Sequence, residues 1–297
     1  MSLPSVLTLV ANRRDNTLSK EAIDIARNLV KGEEPQILSE GEAVDIPCLT
    51  PAEGDATLNT IRATLAPYRV DPILTKTRGR RKAVLIADMD STTVDGETLD
   101  ELAQLSGTGA ECARITQLAM NGEMDFDESI RARTALLAGQ PVSELEDVFK
   151  HLKLSQDITE LVRTMNANGA VTALISGGFT WFTSRIAKIV GFQQNYANVL
   201  EIRDGVITGK LLGPILGPEQ KKLHLIRLCE ERGVKLSASI TTGDGANDVP
   251  MLLAAGLGLA YHAKPRVREQ VEGQVNFCGM RAHLFAQGYK ADQITNE

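Results

Sequence analysis

Residues 83–92, Ala-Val-Leu-Ile-Ala-Asp-Met-Asp-Ser-Thr, leave little choice of architecture. Ala83 to Ala87 is an unbroken run of small or branched apolar residues, the pattern of a short strand covered on both faces. The run stops at Asp88, and Asp90 follows two residues later, so an extended chain turns both carboxylates to one side. A helix N-cap uses one acid, whereas this segment supplies two acids and then two hydroxyls. Polar groups at the carboxyl end of an apolar strand suit an open α/β sheet, whose ligands bind at that edge.

The same alternation recurs downstream. Ala170–Ile175 is a second apolar strand, ending at Ser176-Gly-Gly-Phe, with a helix over 180–190 behind it. Val199–Thr208 reads as a hairpin turning at Asp204-Gly205. Residues 219–232 are helical, and 238–242 form a third core strand ending at Gly243-Asp-Gly-Ala-Asn-Asp. Further strands fall at 257–261 and 274–277. Strands alternating with helices predict an α/β fold with a doubly wound parallel sheet and right-handed crossovers. Between the first two core strands, residues 97–165 are wholly helical in pattern, with glycine stops at Gly107, Gly122 and Gly139. They are expected to form a helical cap inserted in the core, residues 81–297.

Residues 1–80 precede this core. Their order βαββαβ, with Ser19 capping the first helix, predicts a small α+β domain for regulation or assembly. It resembles a ferredoxin-like or ACT-type module through element order alone. The run Lys76–Lys82 carries Lys76, Arg78, Arg80, Arg81 and Lys82 around Gly79, and is read as a solvated linker, with an anionic partner as the alternative.

With 297 residues, 43% hydrophobic and 24% charged, the chain can bury a real core in two domains. A net charge of −6 argues against a general nucleic-acid binder. No apolar run reaches membrane-spanning length, and no secretory leader is visible at Met1–Asn12, so the expected place is the cytoplasm. Cys48, Cys112, Cys229 and Cys278 lie too far apart for a CxxC clip and read as buried thiols. The four histidines form no cluster, and Trp181 is expected to pack.

Taken in order, Asp88-Met-Asp-Ser-Thr, Ser176-Gly-Gly, a lysine at the head of the next helical region and Gly243-Asp-Gly-Ala-Asn-Asp resemble the four motifs of the haloacid dehalogenase-type phosphotransferases. The resemblance covers about residues 81–290 and is closest to the phosphoserine phosphatase branch. It implies a Rossmann-like core and Mg²⁺-dependent hydrolysis of O-phospho-L-serine through a phosphoaspartyl intermediate, closing the serine biosynthesis route.

The chemistry fits these residues. An acyl phosphate on a carboxylate splits hydrolysis of a phosphomonoester into two easier steps, and Asp88 suits that nucleophile. Asp90 is near enough to protonate the leaving alkoxide and then activate water. Asp88, Asp90, Asp244 and Asp248 would repel, at about 4 kcal/mol per pair ~4 Å apart, so a hard dication is expected, and oxygen ligands with phosphate favour Mg²⁺. By resemblance its ligands are Asp88, the main-chain carbonyl of Asp90 and Asp244, with Asp248 acting through water. Lys221 resembles the family's lysine, with the adjacent Lys222 as fallback. Ser176 and the amide of Gly177 sit where a strand turns into a helix, which favours phosphate oxygens, although a capping serine in a glycine turn looks the same. Asn247 resembles a phosphate- or substrate-contacting asparagine.

In the cap, Arg133 would grip the substrate carboxylate with its fork and Glu97 would meet the ammonium. Met120 and Phe126 would cover the site. Taken alone, Glu97 is also a helix-start acid, Arg133 a solvated residue, and Met120 and Phe126 ordinary core. Two other readings stay open. One is an enzyme of this fold acting on another small phosphorylated amino acid or passing phosphate to an alcohol. The other is a serine-sensing regulatory protein with a silent core. The expected partner is a small molecule rather than nucleic acid or membrane, with a possible homodimer through the N-terminal domain.

Overall fold

The computed structural model describes residues 3–15, 17–50, 57–120 and 123–295, leaving out the side chains of Thr57 and Met120. The first domain runs β1 (Ser5–Ala11), α1 (Lys20–Val30), β2 (Gln36–Ser39), β3 (Ala43–Cys48), α2 (Thr57–Leu65) and β4 (Val70–Lys76). This is the order read from sequence, and the Ser19 side chain caps α1 by accepting from the Ala22 amide. The strands pair antiparallel in the order β2-β3-β1-β4. Leu7 and Leu9 of β1 pack with Ala22, Ala26, Ile61 and Leu65 of the two helices. Val10 points the other way and joins the core of the larger domain, so β1 is buried along its whole length.

The larger domain begins with β5 (Val84–Asp88), followed by a tight turn over 89–93, β6 (Val94–Asp95), α3 (Thr98–Leu105), α4 (Gly109–Met120), α5 (Phe126–Ala135), α6 (Ser143–His151), β7 (Lys153–Leu154) and α7 (Ile158–Ala167). It continues through β8 (Val171–Phe179), α8 (Thr180–Val190), β9 (Gln194–Arg203), β10 (Val206–Leu212), α9 (Pro218–Arg232), β11 (Ser239–Gly243), α10 (Val249–Ala254), β12 (Leu257–Tyr261), α11 (Pro265–Arg268), β13 (Gln274–Val275) and α12 (Arg281–Ala286). Seven strands form one sheet in the order β10-β9-β8-β5-β11-β12-β13. All neighbours are parallel except β9 and β10, whose turn holds Asp204 and Gly205 at positive φ. Alternate residues of β5 enter two layers. Leu85 and Ala87 face Ile158, Leu161 and Phe182, whereas Val84 and Ile86 face Leu225 and Leu228 of α9. Helices therefore cover both faces, and β5 with its acids lies mid-sheet.

Two expectations need correction. The helical insertion is shorter than 97–165. The ribbon β6–β7 pairs Val94 with Leu154 and closes it, and the Ser155 amide bonds the Thr93 carbonyl at the same neck. The fifth helix, α7, packs on α8, α12 and β8, because its apolar face (Ile158, Leu161, Val162, Met165) belongs to the sheet's core. Nor is the basic run wholly a solvated linker. Arg80 pairs with Asp45 and donates to the carbonyls of Phe285 and Ala286, and Arg81 stacks on Tyr289.

Charged groups weld the two domains. The buried Arg281 guanidinium grips both Glu42 oxygens at 2.8 and 2.9 Å and reaches Glu160 at 2.8 Å. The buried Asp71 carboxylate accepts the amides of Asn276, Phe277 and Cys278. All four cysteines are free and buried. Among the described residues no helix is long and apolar enough to cross a membrane.

Candidate active site

The carboxyl ends of β5, β8 and β11 lie side by side, so their polar termini meet at one edge. Asp88 ends β5 with one oxygen accepting the Met89 amide at 2.8 Å. The same oxygen lies 2.7 Å from Nζ of Lys221, whose ammonium also reaches Asp248 at 2.6 Å. Lys221 sits in the first turn of α9 and is 1% exposed, whereas Lys222 turns to solvent beside Glu219. Helical register thus brings Lys221, and not Lys222, to Asp88 and Asp248. Burial alone would lower its pKa, but Asp248 and Asp88 together raise it, so the ammonium stays charged.

Asp88, Asp244 and Asp248 each bring an oxygen within 4.8 Å of the other two, and all three are buried. Burial, then the charge of Asp248, pushes the Asp88 carboxyl well above its usual range. The same two causes push Asp244 up to about 6. The buried Lys221 and the exposed Lys264, which reaches Asp244 only at 3.9 Å, do not neutralise three buried acids, and the donors are all hard oxygens. That set fits a divalent cation such as Mg²⁺. Asp248 reaches under the loop because position 243 is glycine. A Cβ there would lie 2.4 Å from the Asp248 Cγ.

Asp90 follows in the turn, where Ser91 takes a left-handed φ of 52°. One Asp90 oxygen accepts the amide and hydroxyl of Thr98 at 2.8 and 2.7 Å, and the other accepts Ser176 Oγ at 3.0 Å. Burial raises its pKa in spite of these bonds. Ser176 also accepts the Gly178 amide. Here β8 runs on to Phe179, so Ser176 and Gly177 lie in an irregular extension of the strand rather than at the helix start, which is Thr180.

From the cap, Phe126 covers Gly177 and Gly217, and a Cβ on Gly177 would stand 3.1 Å from the Phe126 ring. Asp125 caps α5 with a reciprocal Glu128 bond, which fixes Phe126 as the first helical residue. Arg133 lies two turns further along the same face, about 10 Å away. Its Nε is buried without a partner among the described residues. Glu97 precedes α3, bonds Ser91 Oγ at 2.9 Å, and is pushed up to about 7 by burial and then by Asp90. Asn247 sits half-buried in the 246–248 turn beside Gly245. Met120 ends α4, and its side chain is outside the described residues.

The family model for haloacid dehalogenase-like hydrolases matches residues 85–253. The chain belongs to that family. It is 43% identical over 199 residues to a phosphoserine phosphatase of Polaromonas sp., covering 65% of this chain and 84% of that one. It is 37% identical over 229 residues to a phosphoserine phosphatase of Vibrio cholerae, covering 77% and 68%. Among solved structures, a HAD family hydrolase of Salmonella enterica serovar Typhi superposes with a TM-score of 0.83 at 29% identity, over 95% of this chain and 98% of that one.

The hydrolase site has supports that sequence reasoning missed. Thr98 holds Asp90, Thr92 reaches Asp244 at 3.2 Å, and Thr93 Oγ1 donates to the Asp88 carbonyl at 2.6 Å. The cluster of hydroxyls after Asp90 was their one signal. Asn198 clamps the glycine turn, donating to the Gly177 carbonyl and accepting the Leu216 amide. Nothing in the sequence ties a strand asparagine to either partner.

Proposed function

We infer that this hydrolase cleaves O-phospho-L-serine to L-serine and phosphate. The observation that carries the reading is the Asp88–Lys221–Asp248 cluster under a cap whose Arg133 Nε is buried and unpaired. Asp88 attacks phosphorus while the seryl oxygen leaves and takes the Asp90 proton, giving a phosphoaspartyl enzyme. Asp90 then removes a proton from water, which displaces Asp88 and releases phosphate. Ser176 and the Gly177 amide are proposed to hold phosphoryl oxygens, with Asn247 beside them. Lys221 offsets charge at Asp88.

The acids fit Mg²⁺, which Asp88, the Asp90 carbonyl and Asp244 would hold, with Asp248 acting through water. When bound, the ion neutralises the phosphoryl oxygens and holds the phosphoryl group for in-line attack. Arg133 would bind the substrate carboxylate and Glu97 its ammonium, with Phe126 and Met120 excluding water. The N-terminal domain is proposed as a ferredoxin-like, ACT-type regulatory module. Its element order and its strand order β2-β3-β1-β4 support this. The intact set Asp88, Asp90, Lys221 and Asp244 speaks against a silent core.

The test is phosphate release from a panel of phosphorylated metabolites, with and without Mg²⁺. Preferred release from O-phospho-L-serine is expected. Preference for a phosphomonoester without an amino-acid end would overturn the reading.

A further inference from the structure

The basic run 76–82 has no part in the chemistry above, yet four of its cations line one cavity. A cleft of about 920 Å³ opens between the N-terminal domain and the core. Lys76, Arg78, Arg80 and Lys82 line it, and Glu272 is the one carboxylate among its described lining residues. Arg80 is paired with Asp45, but Lys76, Arg78 and Lys82 form no ion pair among the described residues. Lys82 Nζ meets only carbonyls, of Gly79 at 3.0 Å and Ser237 at 2.8 Å. Burial and then the charge of Lys76 depress the Lys82 pKa. The Thr75 hydroxyl on the same wall is buried without a partner among the described residues. Opposite, Leu253 contributes an apolar surface that is 61% exposed.

We propose that this interdomain cleft binds a small, multiply charged anion of phosphate or carboxylate type, its charges on Lys76, Arg78 and Lys82 and its remaining body on Leu253. Thr75 would donate to the same anion. Arg80 is not part of the offer, because Asp45 and two carbonyls already satisfy it. The ligand would touch both domains, so it would tighten their docking. Leu253 lies on α10, which begins directly after Asp248, and this connects the cleft to the active-site loop.

The test is calorimetric titration of the full-length protein with pyrophosphate and, separately, with citrate, in the absence of added metal. A second titration uses Lys76→Ala/Arg78→Ala, and a third uses Lys76→Arg/Arg78→Lys. Saturable binding of at least one probe is expected, weakened ~10-fold or more in the alanine variant and retained in the charge-conserving one. The tighter probe tells phosphate from carboxylate. Because Lys76 and Arg78 make no ion pair, the alanine variant should melt within about 2 °C of the parent. Failure of both probes to bind, or affinity that the alanine variant leaves unchanged, overturns the proposal.

Discussion

As the proposed nucleophile, Asp88 carries two demands that conflict: it would have to be ionised to attack, yet burial and Asp248 favour its neutral form. Lys221 and a dication resolve the conflict, so each is testable alone. Asp88→Asn should abolish turnover with folding intact, since the amide is nearly isosteric but a poor nucleophile; phosphate-release assays and a thermal melt check both halves. Asp90→Asn should lose on the order of 10²–10⁴-fold, because protonation of the leaving group slows. The metal has a pH signature. Asp244 titrates near 6 in the ion-free protein, so its buried charge costs stability above that pH and the cost fades as pH drops through it. Mg²⁺ should therefore raise Tm by roughly 5–10 °C at pH 8, at 100-fold over Kd, and by much less at pH 5. Equal shifts at both pH values would place the ion elsewhere. Most of these residues were legible because the acids stand in short motifs at strand ends. Lys221 needed the helix register to separate it from Lys222, and the supporting role of Asn198 depends on contacts that no local pattern encodes.

At the scale of elements, α5 lays Phe126 over the glycine turn and keeps the Arg133 Nε buried and without a bond among the described residues, a state that costs free energy unless a ligand fills it. Arg133→Ala should lower kcat/KM for O-phospho-L-serine ~10- to 100-fold and barely alter p-nitrophenyl phosphate. Arg133→Lys should rescue only in part, since an ammonium lacks the fork. Equal losses on both substrates would mean that Arg133 shapes the cap instead. Strand and helix identities were readable from apolar periodicity. The end of the insertion was not, because α7 has the same apolar spacing as a cap helix and only its partners, α12 and β8, show that it belongs to the core.

At the scale of the whole molecule, the element order of the first domain was legible but its attachment was not. Buried pairs such as Arg281 with Glu42 join positions far apart in sequence, and a basic run gives no hint of the carbonyls that receive Arg80. A chain starting near Arg80 should therefore fold poorly. It would bare one face of the core, where Val10, Leu38, Ala43 and Ile73 now pack, and leave Arg281 with Glu160 alone of its two carboxylates. Soluble yield and Tm of that truncation check this, and a melt like the parent's would refute it. The central place of β5 has a kinetic meaning too. Val84 pairs with Val171 on one side and Ser239 on the other, so the strand that carries Asp88 is complete only after two long loops close. The helices of the insertion need no such closure, and their amides should gain protection first in pulsed hydrogen exchange during refolding. The chain would then possess its lid before it possesses anything to cover.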